Sequence, residues 1–279
     1  MERIVVTGGT GLVGQALIPV LKAAGYDAVA LSRPYSHDAI AGAIAIINLA
    51  GENLSSGRWT PERKKKITGS RVNTLNSLRL ILKQNPGSVK TLISASAVGY
   101  YGSTTSDRIF TETDPCGNDF LAGVCRQWEA AADSFEPLGI RVVKIRIGVV
   151  FSDKGGALPK LMMPLKFGVS VPLGSGKQWL PWIHLDDLVR IFLHLLKHPE
   201  LSGPFNAVAP NPVTNYQLMK QLAVQKHRLF IPVGVPAFLL KAMLGEMAVV
   251  TLEGSRVSVE KLLGTGFEFM VPFFTIAQT

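Results

Sequence analysis

Cysteine is nearly absent from these 279 residues: Cys116 and Cys125 stand alone, outside any C-x-x-C pair. That excludes a disulfide scaffold and a thiolate metal centre, and fits two ordinary thiols in a reducing compartment. The five histidines are scattered with no pair at metal-ligand spacing, so no metal site is expected. Charge is scarce as well, at 18% of residues against 47% hydrophobic, a balance that supports a large core and excludes extensive disorder. Long apolar runs are missing. The richest late stretch, Phe230 to Leu252, is interrupted by Pro232, Pro236, Lys241 and Glu246, so it reads as packed helices and not as a membrane span. The first apolar run starts at Arg3, leaving no room for a signal or transit peptide, and the expected location is cytoplasmic.

Negative charge is in deficit, with a formal net charge of +9. The one dense basic run, Arg63-Lys64-Lys65-Lys66, follows Trp59-Thr60-Pro61-Glu62. It reads as the exposed face at a helix start, with Thr60 as N-cap and Pro61 as the first helical residue. No zinc, RRM or basic-zipper pattern accompanies it, so a nucleic-acid partner is not expected. The excess fits an anionic cofactor and an anionic substrate instead.

What is present is concentrated at the start. Arg3-Ile4-Val5-Val6 runs into Thr7-Gly8-Gly9-Thr10-Gly11-Leu12-Val13-Gly14, then a helix-like segment, then Ala28-Val29-Ala30-Leu31-Ser32-Arg33. This is a β-α-β unit built to hold a dinucleotide: Gly8 for the tight turn, Gly11 for close approach of a pyrophosphate, Gly14 for packing of the helix on the strand. The spacing is G-x-x-G-x-x-G, a departure from G-x-G-x-x-G. Thr7, Gly8, Thr10, Gly11, Leu12, Val13 and Gly14 are therefore cofactor-binding candidates. At the end of the second strand, Ser32-Arg33 replaces the carboxylate that would bind a ribose 2′-hydroxyl. A guanidinium there suits a 2′-phosphate, hence NADP(H), although a solvated arginine at a strand end is the plainer alternative.

Further strands alternate with helices. Ile44 to Gly51 is a buried parallel strand whose end, Leu49-Ala50-Gly51, faces the cofactor, and only a very short helix fits before it. Pro61 to about Lys83 is helical, Leu92 to Ser96 a strand, Thr104 to Asn118 a loop over the site, Phe120 to Phe135 helical, and Arg141 to Ile145 a strand. Ser94 and Gly148, at later strand ends, complete the cofactor set. The fold class is α/β: a Rossmann-type doubly wound parallel sheet with a smaller C-terminal substrate lobe. Residues 1–150 form the nucleotide-binding domain. Residues 151–279 are mixed, partly returning to that core and partly forming the substrate lobe.

The Thr7–Gly14 turn, the Ser94–Gly102 strand end and Trp182-Ile183-His184-Leu185-Asp186-Asp187-Leu188 together resemble the extended short-chain dehydrogenase/reductases. A narrower set points further: Asn48-Leu49-Ala50-Gly51-Glu52-Asn53, Arg58-Trp59-Thr60, Gly69-Ser70-Arg71, Trp128-Glu129-Ala130-Ala131, Gly174-Ser175-Gly176-Lys177-Gln178-Trp179, Ala209-Pro210-Asn211-Pro212 and Leu244-Gly245-Glu246-Met247. Across nearly the whole chain the sequence is similar to the atypical YfcH-like epimerase family, often labelled nucleoside-diphosphate-sugar epimerases and in some cases cell-division inhibitors. The resemblance implies a Rossmann-type sheet, NADP(H), a helical C-terminal lobe and a homodimer formed through long helices.

The departures bear on chemistry. The superfamily uses Tyr-x-x-x-Lys, but alignment through Trp128-Glu129 puts Gly123 and Gln127 at those positions, and Gln has no charge to depress a phenol pKa. Ser70 falls where the superfamily's active-site Asn would be, while Thr74 matches. Ser96 keeps its place before Tyr100. The catalytic candidates are thus Ser96 as carbonyl ligand, Tyr100 (with Tyr101 beside it) as proton donor, and Glu52 as acid, base or ribose ligand. The plain alternatives are aromatic packing for the tyrosines and a helix cap or ion pair for Glu52. His184 with Asp186-Asp187 forms a weaker acid–base candidate, a segment the resemblance marks as structural. Lys177, Trp179 and Trp182 are candidate substrate residues, with core packing the alternative for the tryptophans. Two functions stand: an NADP(H)-dependent oxidoreductase or epimerase with a rewired proton donor, acting on a nucleotide sugar or another small carbonyl compound, and a non-catalytic NADP(H) sensor linked to cell division.

Overall fold

The computed structural model describes residues 1–274. The first unit is β1 (Arg3–Thr7), α1 (Leu12–Ala23) and β2 (Asp27–Leu31). Ile4 to Thr7 are fully covered, which is why β1 reads as a continuous apolar run and not as an alternation. Next comes α2 (His37–Ile40), a single turn, as the short spacing required, and then β3 (Ala43–Asn48). The long α3 (Pro61–Gln84) begins as the sequence predicts: Thr60 Oγ1 accepts the Arg63 N–H at 3.2 Å, and Pro61 occupies the first turn. β4 (Thr91–Ala97), β5 (Ile109–Phe110), α4 (Phe120–Asp133) and β6 (Arg141–Ile147) follow. β5 lies inside the stretch expected to be loop; it pairs with Arg256–Val257, a long-range contact that local sequence cannot announce.

The strand Gly203–Ala207 returns to pair with β6 and closes a six-stranded parallel sheet in the order Gly203–Ala207, β6, β4, β3, β1, β2. α1 and the helix Leu185–Lys197 cover one face, and α3 and α4 the other, each over its own apolar core. The architecture is a Rossmann-type doubly wound sheet. The chain moves outward from β1 to β2 and then resumes on the opposite side of β1 with β3. That reversal opens a crevice above the carboxyl ends of the strands, where ligands of such sheets sit.

A third core gathers Phe151, Trp182 and Phe274, whose rings stack or meet edge to face, with Leu218, Met219 and Leu222 of the helix Asn215–Gln225. C-terminal segments fasten this part to the loop after β4: the Gly254 N–H donates to Thr104 O at 3.2 Å, and Ser255 Oγ to Gly102 O at 3.0 Å. Among the described residues no helix is long and apolar enough to cross a membrane, and no cluster of His, Cys, Asp and Glu has the makings of a metal site. The last five residues of the expected 151–279 segment lie outside the described residues.

Candidate functional site

The Gly-rich turn is held by steric necessity. Gly8 has φ +70°, and a Cβ there would fall 2.7 Å from the Leu49 carbonyl carbon. A Cβ on Gly14 would fall 2.6 Å from Gly8 O and from Gly9 Cα, so Gly14 admits the turn itself against the helix. Gly9, which the sequence did not single out, packs 2.7 Å from the Ala30 Cβ by the same measure. Gly11 is different: the only close atom is Gly8 O, at 3.3 Å from an added Cβ. The first turn of α1 carries no acidic residue and no side-chain cap. Its unanswered N–H groups, Leu12 and Val13 included, present the positive end of the helix to a phosphate. These residues fit a dinucleotide diphosphate.

The cleft around this turn has a volume of about 290 Å³ and is walled by Gly8, Thr10, Ser32, Arg33, Ala50 and Gly51, with Glu52, Ser70 and Thr74 opposite. Farther out, Lys65, Lys66 and Asn73 share a hollow with Arg33. Two lysines of the basic run therefore share a hollow with Arg33, a placement that only the fold of α3 over β2 reveals. Thr7 and Ser94 lie below this wall. Thr7 Oγ1 donates to Asn48 Oδ1 at 2.7 Å and Asn48 Nδ2 donates to Ser94 Oγ at 3.1 Å. All three are buried and cross-link β1, β3 and β4 under the cleft. Leu12, Val13 and Leu49 pack their side chains on the core.

A second hollow of about 280 Å³, mostly apolar, lies at the carboxyl ends of β4 and β6 and includes Ala97, Val98, Ile147 and Gly148 among its walls. Gly148 is pinned there, since a Cβ would fall 2.2 Å from Pro181 O. The face of α4 toward this cavity carries Leu121, Val124, Cys125 and Trp128, one stripe at helical spacing. Gln127 is exposed and donates to Gly123 O at 3.2 Å. The cavity side thus bears Leu121 and Cys125 at the four-residue spacing, and α4 contains neither Tyr nor Lys. Burial pushes the Cys125 thiol up to about 12, reinforced by Glu129. The C-terminal residues Val249, Val250, Glu253 and Ser255 form the far wall. Cleft and cavity meet at Gly51, where an added Cβ would fall 3.1 Å from Arg71 Cζ; Gly51 walls the former and Arg71 the latter.

Two of the three catalytic candidates, Ser96 and Tyr100, lie elsewhere. Ser96 is buried and donates to Glu129 Oε1 at 2.7 Å; the same carboxylate receives a two-pronged contact from Arg146, with both bonds 2.9 Å. Arg146 also donates to the Tyr101 hydroxyl at 3.0 Å, which donates onward to Asn206 Oδ1 at 2.6 Å. The guanidinium lies 3.5 Å from the Tyr100 ring centroid. Ser96 and Tyr100 therefore belong to a network beneath the sheet ends and not to the walls of the cleft or the cavity. Burial raises the Tyr101 phenol to about 12 against the opposing pull of Arg146. For Arg146 itself burial lowers the pKa, but Glu129 outweighs it and holds the guanidinium above its ordinary value. Sequence reading missed this pair; an Arg inside a buried parallel strand was the available signal.

Glu52 faces the cleft. Its carboxylate pairs with Arg63 at 2.7 Å, its N–H donates to Ser70 Oγ at 2.9 Å, and its carbonyl accepts from Arg71 at 3.2 Å. Of the substrate candidates, Trp179 lines the cavity, with its indole N–H donating to Asp107 at 3.3 Å. Lys177 is exposed, and Trp182 is a core residue at 1% exposure. His184 Nδ1 caps the helix Leu185–Lys197 by accepting the Asp186 N–H at 3.3 Å, and buried Asp187 accepts the N–H groups of Met270 and Val271, each at 2.8 Å. Both are structural uses.

With this geometry in view, a family model described as the NAD dependent epimerase/dehydratase family matches residues 4–208. The chain belongs to that family. A second model, a domain of unknown function (DUF1731), matches residues 235–274, the segment that supplies the far wall of the cavity. Among family relatives, the chloroplastic epimerase family protein SDR39U1 homolog of Arabidopsis thaliana is 38% identical, over 95% of this chain and 82% of its own length. Epimerase family protein YfhF of Bacillus subtilis is 37% identical, over 96% of this chain and 93% of its own. The crystal structure of human epimerase family protein SDR39U1 (isoform 2) with NADPH superposes with a TM-score of 0.87 at 32% identity, covering 98% of this chain and 96% of that one. The family placement agrees with the resemblance drawn from the motifs.

Proposed function

We propose that this family member is an NADP(H)-dependent oxidoreductase of small carbonyl compounds whose proton transfer is not built on Tyr-x-x-x-Lys. The observation that carries the reading is the meeting of the Gly-rich cleft with a mostly apolar cavity at Gly51 and Arg71. The backbone from Gly8 to Val13 would hold the diphosphate, and Ser32, Arg33, Lys65 and Lys66 the 2′-phosphate. The human relative crystallised with NADPH supports this choice. When bound, the nicotinamide would supply or take a hydride in exchange with a substrate in this cavity. Leu121, Val124 and Trp179 exclude water there, which strengthens every polar contact inside. Among the proton-bearing groups on the wall, burial holds Cys125 protonated and Ser255 Oγ donates to Gly102 O, while Thr105 Oγ1 donates to Glu253 Oε2 at 2.5 Å and holds that carboxylate at the wall. Glu253 is placed to exchange a proton with the substrate oxygen. The apolar lining favours a small carbonyl compound over a nucleotide sugar, which needs a second polar diphosphate site. A homodimer through α3 and α4 belongs to the same reading.

A second reading, an NADP(H) sensor without turnover, is favoured by one observation: α4 bears neither Tyr nor Lys, and Ser96 and Tyr100 are engaged in the buried network. The experiment that separates them is deuteride transfer from NADPH labelled at both C4 positions into a metabolite extract, read by mass spectrometry. A labelled alcohol is the expected result. NADPH binding without label, in the same sample, moves the conclusion to the sensor.

A further inference from the structure

Arg71 is a cation in the wrong surroundings. Its guanidinium lines the apolar cavity, stacks 5.0 Å from the Trp128 ring centroid and has no carboxylate within ion-pair distance among the described residues. Its two hydrogen bonds go to backbone carbonyls, Ile67 O at 2.9 Å and Glu52 O at 3.2 Å, which leaves three of its five N–H groups free. Trp128 supplies an independent sign. It is 6% exposed, it lines the same cavity, and its indole N–H is buried without an acceptor among the described residues. Buried donors without partners are rare in folded proteins and point to a group that arrives later. Burial also lowers the Arg71 pKa, with Cys125 and Glu52 opposing, so an anion placed beside it would relieve an existing cost.

Resting on the oxidoreductase reading of this cavity, we propose that its substrates are oxo or hydroxy monocarboxylic acids with an apolar body, held by the carboxylate at Arg71 and the Trp128 indole N–H. The planar guanidinium matches a carboxylate in two-pronged geometry. The cofactor's own anionic groups are answered elsewhere, by the α1 N-terminus and by Arg33, Lys65 and Lys66. Leu121, Val124 and Val250 face the rest of the ligand and suit a branched or aromatic chain. A nucleotide would find one cation there where its diphosphate needs several.

The test uses the full chain loaded with NADP⁺ and calorimetric titration with 4-methyl-2-oxopentanoate, phenylpyruvate and the methyl ester of each. Because hydrogen bonds to charged groups are worth more than neutral ones, the acids are expected to bind at least about tenfold more tightly than the esters. Arg71→Met should erase that preference, and Trp128→Phe should weaken acid binding about threefold while leaving NADPH affinity within about twofold. Equal binding of acid and ester, or no binding of any acid, overturns the inference. So does a loss of NADPH affinity in step with acid affinity, which would make Arg71 a cofactor residue. If Arg71→Met does not fold, the acid–ester difference and Trp128→Phe decide. Acid binding without deuteride transfer would keep this inference and remove the oxidoreductase reading. A labelled neutral alcohol with no acid preference would do the reverse.

Discussion

The Gly-rich cleft and the apolar cavity lie side by side, yet they are made in opposite ways. The cleft is assembled largely from neighbours in sequence: Gly8, Thr10, Ser32 and Arg33 come from one β-α-β unit, and only Ala50 to Glu52 and α3 arrive from beyond it. The cavity is assembled from segments separated by more than a hundred residues, from Leu54 and Arg71 through Ala97 to Ser255. A motif can specify the first because a tight turn and a helix start are local geometry. Nothing local specifies the second. The cleft is thus largely written in a short segment, while the cavity depends on how the DUF1731 segment closes over the sheet ends.

The largest expected effect attacks the buried network beneath the sheet ends. Glu129→Gln leaves the Arg146 guanidinium buried beside a neutral partner, and breaking such a pair costs about 3–5 kcal/mol. Denaturant unfolding should show that loss, and Glu129→Met with Arg146→Met together should cost less than the two single changes added. A loss below about 1 kcal/mol for Glu129→Gln would mean that the pair does not anchor α4 to β6.

Next in size is a change confined to the cleft. Alanine at Gly8 must adopt φ +70° and push its Cβ into the Leu49 carbonyl, so NADPH affinity should fall about a hundredfold as the turn distorts. Gly123→Ala is the contrast: a Cβ there meets nothing within 4 Å. Glycine to alanine at this half-buried helix position should raise stability by about 0.5–1 kcal/mol and leave NADPH binding unchanged. Equal effects at the two glycines would abolish the distinction between turn and helix face.

A third test concerns Tyr101 and the alkaline limb of stability. The phenol is neutral in both states near pH 7 and contributes nothing to the pH dependence there. In the unfolded chain it loses its proton near 10.0, whereas the fold holds it to about 12. Stability should therefore be intact below pH 10 and fall as pH rises from about 10 to about 12, by at most about 2–3 kcal/mol. Tyr101→Phe should flatten that limb, and absorbance titration should lose one late-titrating phenol. A phenol at position 101 titrating near 10 would return this residue to the list of proton donors.

These tests follow the line between what was legible and what was not. The sheet, its helices and the Thr60 cap were legible because periodicity and capping are local signals. The Gly-rich turn, with its strand before and helix after, was legible as geometry for the same reason. Ser96, Tyr100 and Glu52 were selected for plausible residue types at strand ends. The structure gives their polar atoms and faces to Glu129, Arg146 and Arg63, partners up to fifty residues away. Arg71 went unweighed for a similar reason: in α3 it is one basic residue among several, and only the packing of α3 against α4 gives it a cavity and Trp128 as a neighbour.

The smallest expected effect is at Arg33, and it is small for an instructive reason. Arg33→Met removes the residue that the sequence nominates for the 2′-phosphate, yet Lys65 and Lys66 face the same hollow. They retain part of the attraction for the phosphate charge, so NADPH affinity should fall only about tenfold, with NADH affinity unchanged because it carries no 2′-phosphate. Lys65→Met with Lys66→Met should remove a comparable share, and raising ionic strength should narrow every difference because these side chains are open to solvent. If the Arg33 change alone equalised NADPH and NADH, cofactor choice would belong to the β-α-β unit by itself. If both sets of changes are needed, α3 takes part in it, and even the cleft depends on a segment from outside the motif.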